Sequence, residues 1–168
     1  MPSTNIAAIK SAIKSILDAA NNVAGSPIDL SSGLGTRVQQ VLKVNPDNIY
    51  VDPGSFPFVS IFTANKSIEI ETIGHKGSQT SALRRADLEL TIAGAVQQPL
   101  IDSVKEDASD ENVERLMENV EEILRANVNL NNTVNWSYPT NVSYHTAPWD
   151  EQTIIRGAIM TFLCKVWY

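Results

Sequence analysis

The stretch that most constrains this chain is its last, TIIRGAIMTFLCKVWY, residues 153–168. So apolar an ending suits either a membrane-spanning helix or a strand buried on both faces. A helix of this length rises roughly 24 Å at about 1.5 Å per residue. That falls short of a hydrocarbon core about 30 Å thick, which asks for roughly 20 apolar residues. It would also carry Arg156 and Lys165 into the bilayer, where a charge costs about 2.5–3.5 kcal/mol. The alternation decides between the two. Ile155, Gly157, Ile159, Thr161, Leu163, Lys165 and Trp167 form one set; Ile154, Arg156, Ala158, Met160, Phe162, Cys164, Val166 and Tyr168 form the other. Large apolar residues fall on both sets, with β-branched and aromatic types common, and this predicts a strand covered on both sides. Such a strand is unusually long, so a bend or bulge is expected, with Gly157 as its natural place.

The remaining bulk properties fit one soluble domain spanning residues 1–168. Apolar residues make up 43% and charged residues 19%, and a chain of this length buries a substantial core. The opening MPSTNIAAIK has no basic start followed by an apolar run, so no secretory signal is expected. Cys164 is the single cysteine, which excludes an intramolecular disulfide and a cysteine-based zinc site and reads as a buried, inert thiol. Sequons at Asn65, Asn131, Asn135 and Asn141 are read as chance products of an asparagine-rich chain rather than as glycosylation sites.

The net charge of −6 has one location. Residues 102–125 hold nine acids against three bases, while elsewhere ten acids balance ten bases. The chain carries one acidic element and no basic footprint for nucleic acid.

Periodicity places the elements. Ile6, Ile9, Ile13, Ile16, Leu17 and Val23 follow helical spacing, with Ala12 and Ala20 in the same stripe. Ser3 or Thr4 is the expected cap, Gly25 and Pro27 the stop, and Lys10 and Lys14 the wet side. A loop rich in Gly and Ser follows, then a strand or short helix over 37–44, turns at NPDN and DPGSFP, and a buried strand over 58–62. SIEIETI alternates with Ile68 and Ile70 inward; ADLELTIAGAV alternates with Leu88, Leu90 and Ile92 inward. SDENVERLMENVEEILRAN is a helix, with Ser109 as N-cap and Asp110 and Glu111 in its first turn. Its stripe is Val113, Leu116, Met117, Val120, Ile123 and Leu124. Glu114, Glu118, Glu121 and Glu122 lie off that stripe, on a solvated face or on a face that docks a basic partner. A strand over 134–138, a loop holding Tyr144, His145 and Trp149, and the closing strand complete the chain. The predicted class is α+β: a mostly antiparallel or mixed sheet of about five to six strands, with two main amphipathic helices packed on it.

No catalytic or cofactor motif emerges. His75 and His145 fall in separate predicted loops and do not make a metal cluster. GLGT at 33–36 lacks the lysine of a phosphate loop and the third glycine of a dinucleotide fingerprint, and reads as a turn. Glu69 with Glu71, and Asp87 with Glu89, are paired carboxylates of the kind acid–base chemistry uses, but exposed alternation accounts for them. A hairpin register with Glu71 opposite Asp87 would gather all four acids, so the register is expected to shift and pair Glu69 with Arg85.

The ordered series of pieces resembles the tail terminator, or tail completion, proteins of tailed bacteriophages. It comprises an N-terminal amphipathic helix; RVQQVLKVNPDNIYVDPGSFPFVSIF, in which a proline precedes a buried strand; the polar hairpin segment GHKGSQTSALRRADLELTIAGAV; the acidic helix DENVERLMENVEEILRAN; and the closing strand IIRGAIMTFLCKVWY. Together these cover most of the chain, though the loop over 26–35 and the asparagine-rich stretch near Asn131 have no counterpart in the pattern. The resemblance implies a structural virion protein at the tail–neck junction, made in the host cytoplasm and without cofactor or catalytic role. It implies a ring, usually a hexamer, that caps the tail tube, stops its polymerisation and offers the head–tail joining surface. Its partners would be further copies of itself, the major tail tube protein, the head–tail connector or neck protein and, in contractile tails, the sheath. DNA would pass through the channel without specific contact. A ring is built from heterologous contacts between unlike surfaces. The acids Glu114, Glu118, Glu121 and Glu122 and the basic run His75, Lys76, Arg84 and Arg85 are candidates for such a pair, and Trp136, Tyr138, Tyr144 and Trp149 are candidate interface aromatics. Other neck or baseplate components share this class; a small-molecule-binding module or a carboxylate-based hydrolase are alternatives of a different class.

Overall fold

A computed structural model describes residues 5–21, 29–45, 53–71, 83–99, 103–148 and 153–167. In chain order the elements are helix α1 (Ile6–Ala19), strand β1 (Gln40–Leu42), a 3-10 turn (Pro53–Ser55), strands β2 (Phe58–Glu71) and β3 (Leu83–Pro99), helix α2 (Ser103–Arg125), and strands β4 (Trp136–Pro148) and β5 (Thr153–Trp167). The strands form one five-stranded sheet ordered β1-β2-β3-β5-β4. The fold is α+β, and the closing segment is strand from Thr153 to Trp167. No helix among the described residues is long and apolar enough to cross a membrane.

The sheet is mixed because β1 runs parallel to β2, while every other neighbour is antiparallel. A parallel pair needs a crossover of a dozen or more residues, which the segment between β1 and β2 supplies. β1 is shorter than the predicted strand over 37–44.

Register divides the sheet into two faces, since directly paired residues point the same way. Val59, Ile61, Leu88, Leu90, Ile92, Ala158, Met160, Phe162, Cys164 and Val166 share one face and form one buried cluster with Ile9, Ile13 and Leu17 of α1 and Val113, Leu116, Met117, Val120, Ile123 and Leu124 of α2. The stripes read from the sequence for both helices therefore point into this core, apart from Val23, which lies outside the described residues. Among the described residues no helix lies on the opposite face. Ile159 there is 37% exposed and Trp136 48%. The prediction that β5 is covered on both sides is thus qualified: the described helices cover one face of this sheet, and on the other Ile159 is exposed while Ile155, Leu163 and Trp167 are only half-buried.

Local chemistry explains the boundaries. Asn5, rather than Ser3 or Thr4, caps α1: its Oδ1 accepts from the amides of Ala7 and Ala8 at 3.0 and 3.4 Å. Lys14 of α1 donates to the Val41 carbonyl at 2.6 Å, tying the helix to β1. α2 begins at Ser103, so Ser109 is an interior residue and not the N-cap; no Gly or Pro interrupts VKEDASDEN, and a helix continues through such residues. Gly94 lets α2 approach β3, because a Cβ there would stand 2.7 Å from Met117 Sδ and 3.1 Å from Leu116 Cδ2. Gly157 causes no bulge, and the β3–β5 register runs unbroken past it. The bulges lie instead in β2, between Thr63 and Asn65, and in β4, between Pro139 and Asn141. Gly157 makes room for a side chain: an added Cβ would meet His145 Nε2 at 2.5 Å.

β2 is one strand where two were predicted, and β4 runs far past the expected 134–138. Tyr144 and His145 are consequently strand residues and not loop residues. β4 is an edge strand, and edges tolerate the two prolines that made it read as a loop. The asparagine-rich connection from α2 turns through three residues of positive φ, Leu130, Asn131 and Asn132, a conformation asparagine adopts more readily than most residues. Asn135 then clamps the sheet end, its amide donating to the Lys165 carbonyl and its Oδ1 accepting from the Trp167 amide. Of the four sequon asparagines, Asn131 and Asn135 thus serve the turn and its clamp, and Asn65 and Asn141 sit at the bulges.

A one-sided core has a measurable consequence. Phe162→Ala, at a position with 0% exposure, is expected to cost about 3–5 kcal/mol in urea unfolding. Ile159→Ala, on the open face of the same strand, is expected to cost about 1 kcal/mol or less. Equal costs would contradict this division of faces.

Candidate functional site

The acidic face of α2 is directed away from the core as its periodicity predicts. Glu114, Glu118 and Glu122 are exposed, and Glu121 is half-buried against Arg125, 2.6 Å away. Tyr144 of β4 stands beside this face, half exposed. Its phenol holds its proton more tightly than an ordinary tyrosine, first because burial penalises the phenolate and then because Glu114, Glu118 and Glu121 repel a second negative charge.

Next to Tyr144 lies a cavity of about 250 Å³ between α2, β4 and β5, lined by Asp110, Glu114, Tyr144, Thr146, Arg156 and their neighbours. Arg156 lies on the helix-covered face, opposite Val96 and Thr146. Its Nε is 2.9 Å from the Asp110 carboxylate, and its guanidinium donates to the Thr146 hydroxyl. In the sequence Arg156 counted as a charge against a membrane span. The structure shows a more specific role, a clip between α2 and the sheet where the apolar core ends.

The second group lies at the far end of the sheet. Glu69 is paired with Arg85, as the charge argument required, Ser67 faces Asp87, and Glu71 faces Leu83. The Arg85 guanidinium is 2.5 Å from Glu69 and 3.2 Å from Asp87. These carboxylates bracket one cation on the open face of the sheet, in register with Trp167 and Lys165 of β5. This changes the standing of Arg85 as a docking cation, because its charge is taken up by its own strands. Arg84 contributes its backbone to β3 opposite Ile70. His75, Lys76 and Trp149 lie outside the described residues.

The third group is aromatic. Trp136 and Tyr138 share the open face with ring centroids 4.9 Å apart, and register adds Leu163, Lys165 and Trp167 to that face. Tyr144 points to the opposite face, so the aromatic cluster suspected from the sequence divides between two surfaces. Trp167, Ile159 and Leu163 were missed as surface residues because the alternation of β5 is apolar in both sets; register against β4 was the missing signal.

The distal half of β2 completes the picture. Residues 63–69 are exposed in succession, and Ile68, predicted to point inward, is 53% exposed although its cross-strand partner Ala86 is fully buried. The periodicity was right about the face. The described helices, α1 and α2, do not extend over this part of the hairpin.

Among the described residues no group of three or more His, Cys, Asp or Glu side chains is placed to hold a metal ion. Cys164 is buried opposite Leu88, and burial pushes its thiol up to about 12, consistent with an inert thiol. No protein-family model matches the chain, and no curated protein matches it.

Two outcomes test these electrostatics. Arg85→Met is expected to cost about 1 kcal/mol at neutral pH, less in a background carrying Glu69→Gln and Asp87→Asn; an equal cost in both backgrounds would show that the guanidinium acts through packing. Tyr144 titrates above its ordinary value of 10.0. Because the folded state binds this proton more tightly, its contribution to stability is present below that value and lost as pH rises through the folded pKa. Glu114→Gln with Glu118→Gln is expected to move the ultraviolet titration of Tyr144 downward, leaving the part due to burial.

Proposed function

We propose that this chain is a ring-forming structural subunit of a tailed-phage virion, a tail terminator that caps the tail tube and joins it to the neck. The observation that carries this reading is the bare distal half of β2. Seven successive exposed residues, 63–69, leave both faces of a strand uncovered, including Ile68 at 53%. A strand in that state gains by being covered, and a neighbouring subunit in a ring supplies the cover.

Two further features support it. The helix layer presents Glu114, Glu118 and Glu122, while the other face presents Trp136, Tyr138 and Ile159. Heterologous rings need two unlike surfaces on one subunit, and these lie on opposite layers. The order of elements also follows the layout of the family the sequence resembles. Under this reading the tube protein and the connector meet the two rims of the ring, the sheath is a further contact in a contractile tail, and DNA crosses the channel without being read.

Native mass spectrometry and light scattering, on the chain alone and with tail tube protein, are expected to give a closed ring, a hexamer by the resemblance. Ile68→Asp is expected to prevent ring formation while leaving the far-ultraviolet dichroism of the subunit intact. A monomer under both conditions, or a ring that tolerates Ile68→Asp, would count against the proposal.

A further inference from the structure

The edge strand β4 ends the sheet, and along residues 141–147, NVSYHTA, it has neither proline nor a Lys, Arg, Asp or Glu side chain. Natural edges are ordinarily blunted by lysine, proline, a bulge or an inward charge, because their outward N–H and C=O groups accept another strand. Here the bulge and Pro139 lie before this stretch and Pro148 after it. What remains between them is a β-prone run, exposed except for the half-buried Val142, that contains Tyr144 and Thr146.

The surroundings select what can pair there. Val142, Tyr144 and Thr146 share the helix-side face, so side chains of an added strand on that face would stand beside α2. They would meet Glu114 and Glu118, next to Tyr144, and the cavity of about 250 Å³. The acid field at this point is real enough to oppose ionisation of Tyr144. Arg156 adds little positive charge because Asp110 and Thr146 engage it. Two-fold pairing of β4 with β4 of a second copy would bring two acidic helices together, a like-charge arrangement that disfavours it.

We infer that the β4 edge is a strand-addition site for an extended cationic segment of a partner polypeptide, with a lysine or arginine of that segment seated between Glu114, Glu118 and Tyr144. The backbone ladder supplies affinity and the alternate cationic side chains supply selectivity, as in other strand-addition recognition. The aromatic ring beside the carboxylates adds a cation–π contact to the ion pair. This inference is independent of ring formation and holds for a subunit in any oligomeric state that leaves β4 open.

The test uses the full chain and a labelled short peptide of alternating lysine and valine. Its controls are the same peptide N-methylated at alternate residues and a glutamate–valine counterpart. Fluorescence anisotropy is expected to show saturable binding of the lysine peptide alone, weakened by added salt. The Glu114→Gln, Glu118→Gln chain is expected to bind about fivefold to tenfold more weakly, as the loss of two surface charge contacts implies. Hydrogen exchange is expected to slow at residues 141–147. Equal binding of the glutamate or N-methylated peptide would overturn the inference, as would protection confined to other strands, no binding of the lysine peptide, or self-association of the chain through β4 that the peptide does not displace.

Discussion

The rest of the structure depends on the ladder between β3 and β5, continuous from Arg85 opposite Trp167 to Pro99 opposite Thr153. One register over that length decides which of two apolar sets is buried. With it, Leu88, Leu90 and Ile92 lie beside Cys164, Phe162 and Met160 beneath α2. A slip of one residue would send the second set of β5 under the helix, including Lys165, and would expose Phe162. The sequence of β5 alone resists such a slip weakly, because both sets are apolar. β3 resists it strongly, because Asp87 and Glu89 alternate with Leu88 and Leu90. Gly94 adds a further constraint: a Cβ at that rung would crowd Met117 and Leu116 of α2, so helix position and strand register fix one another.

This explains what could be read in advance. Both helix stripes and the inward set of β3 have a single polar-to-apolar period, and one period admits one answer. The pairing of Glu69 with Arg85 followed from the same logic applied to charge, since the alternative register concentrated four acids. The openness of the second face was illegible because a strand with two apolar sets looks the same whether its second face is covered or bare. β4 was read too short because Pro139 and Pro148 are breakers in a central strand but tolerable at an edge, and edge position is a property of the whole sheet. Ile68 failed differently: its face was correct, but the reach of the helix layer is set by tertiary geometry. Of the candidate site, the acidic residues of α2 were legible as an outward face. Their proximity to Tyr144 was not, because it depends on the length of β4.

The disposition of charge reduces the candidate surfaces to fewer than composition implied. Arg85 is bracketed by Glu69 and Asp87, Arg125 by Glu121, and Arg156 by Asp110, so these cations serve the subunit's own architecture. Each pair is partly exposed and contributes modestly to stability; its larger effect is on specificity, since it removes a cation from the surface available to partners. The exposed acids of α2, by contrast, project from the helix layer without a core role. Under the proposed reading, an excess of acid concentrated on one helix bears on association more than on folding, favouring cationic partners and opposing the approach of like faces.

That opposition bears on assembly geometry. An open strand edge and an open apolar sheet face on one subunit would ordinarily lead to uncontrolled association. Placing Glu114 and Glu118 beside the β4 edge penalises the simplest such product, a two-fold pair of edges, because it would oppose acidic helices across the joint. The open face bearing Trp136 and Ile159 lies on the other side of the sheet from those acids, and charge effects at the surface fall off within a Debye length of about 8 Å at physiological salt. Contacts that join unlike surfaces escape the repulsion, and contacts that join like helix faces incur it. Glu114 and Glu118, which look like a passive solvated face in sequence, thus disfavour two-fold pairing of β4 edges, and under the proposed reading this leaves heterologous contact, the kind that closes into rings.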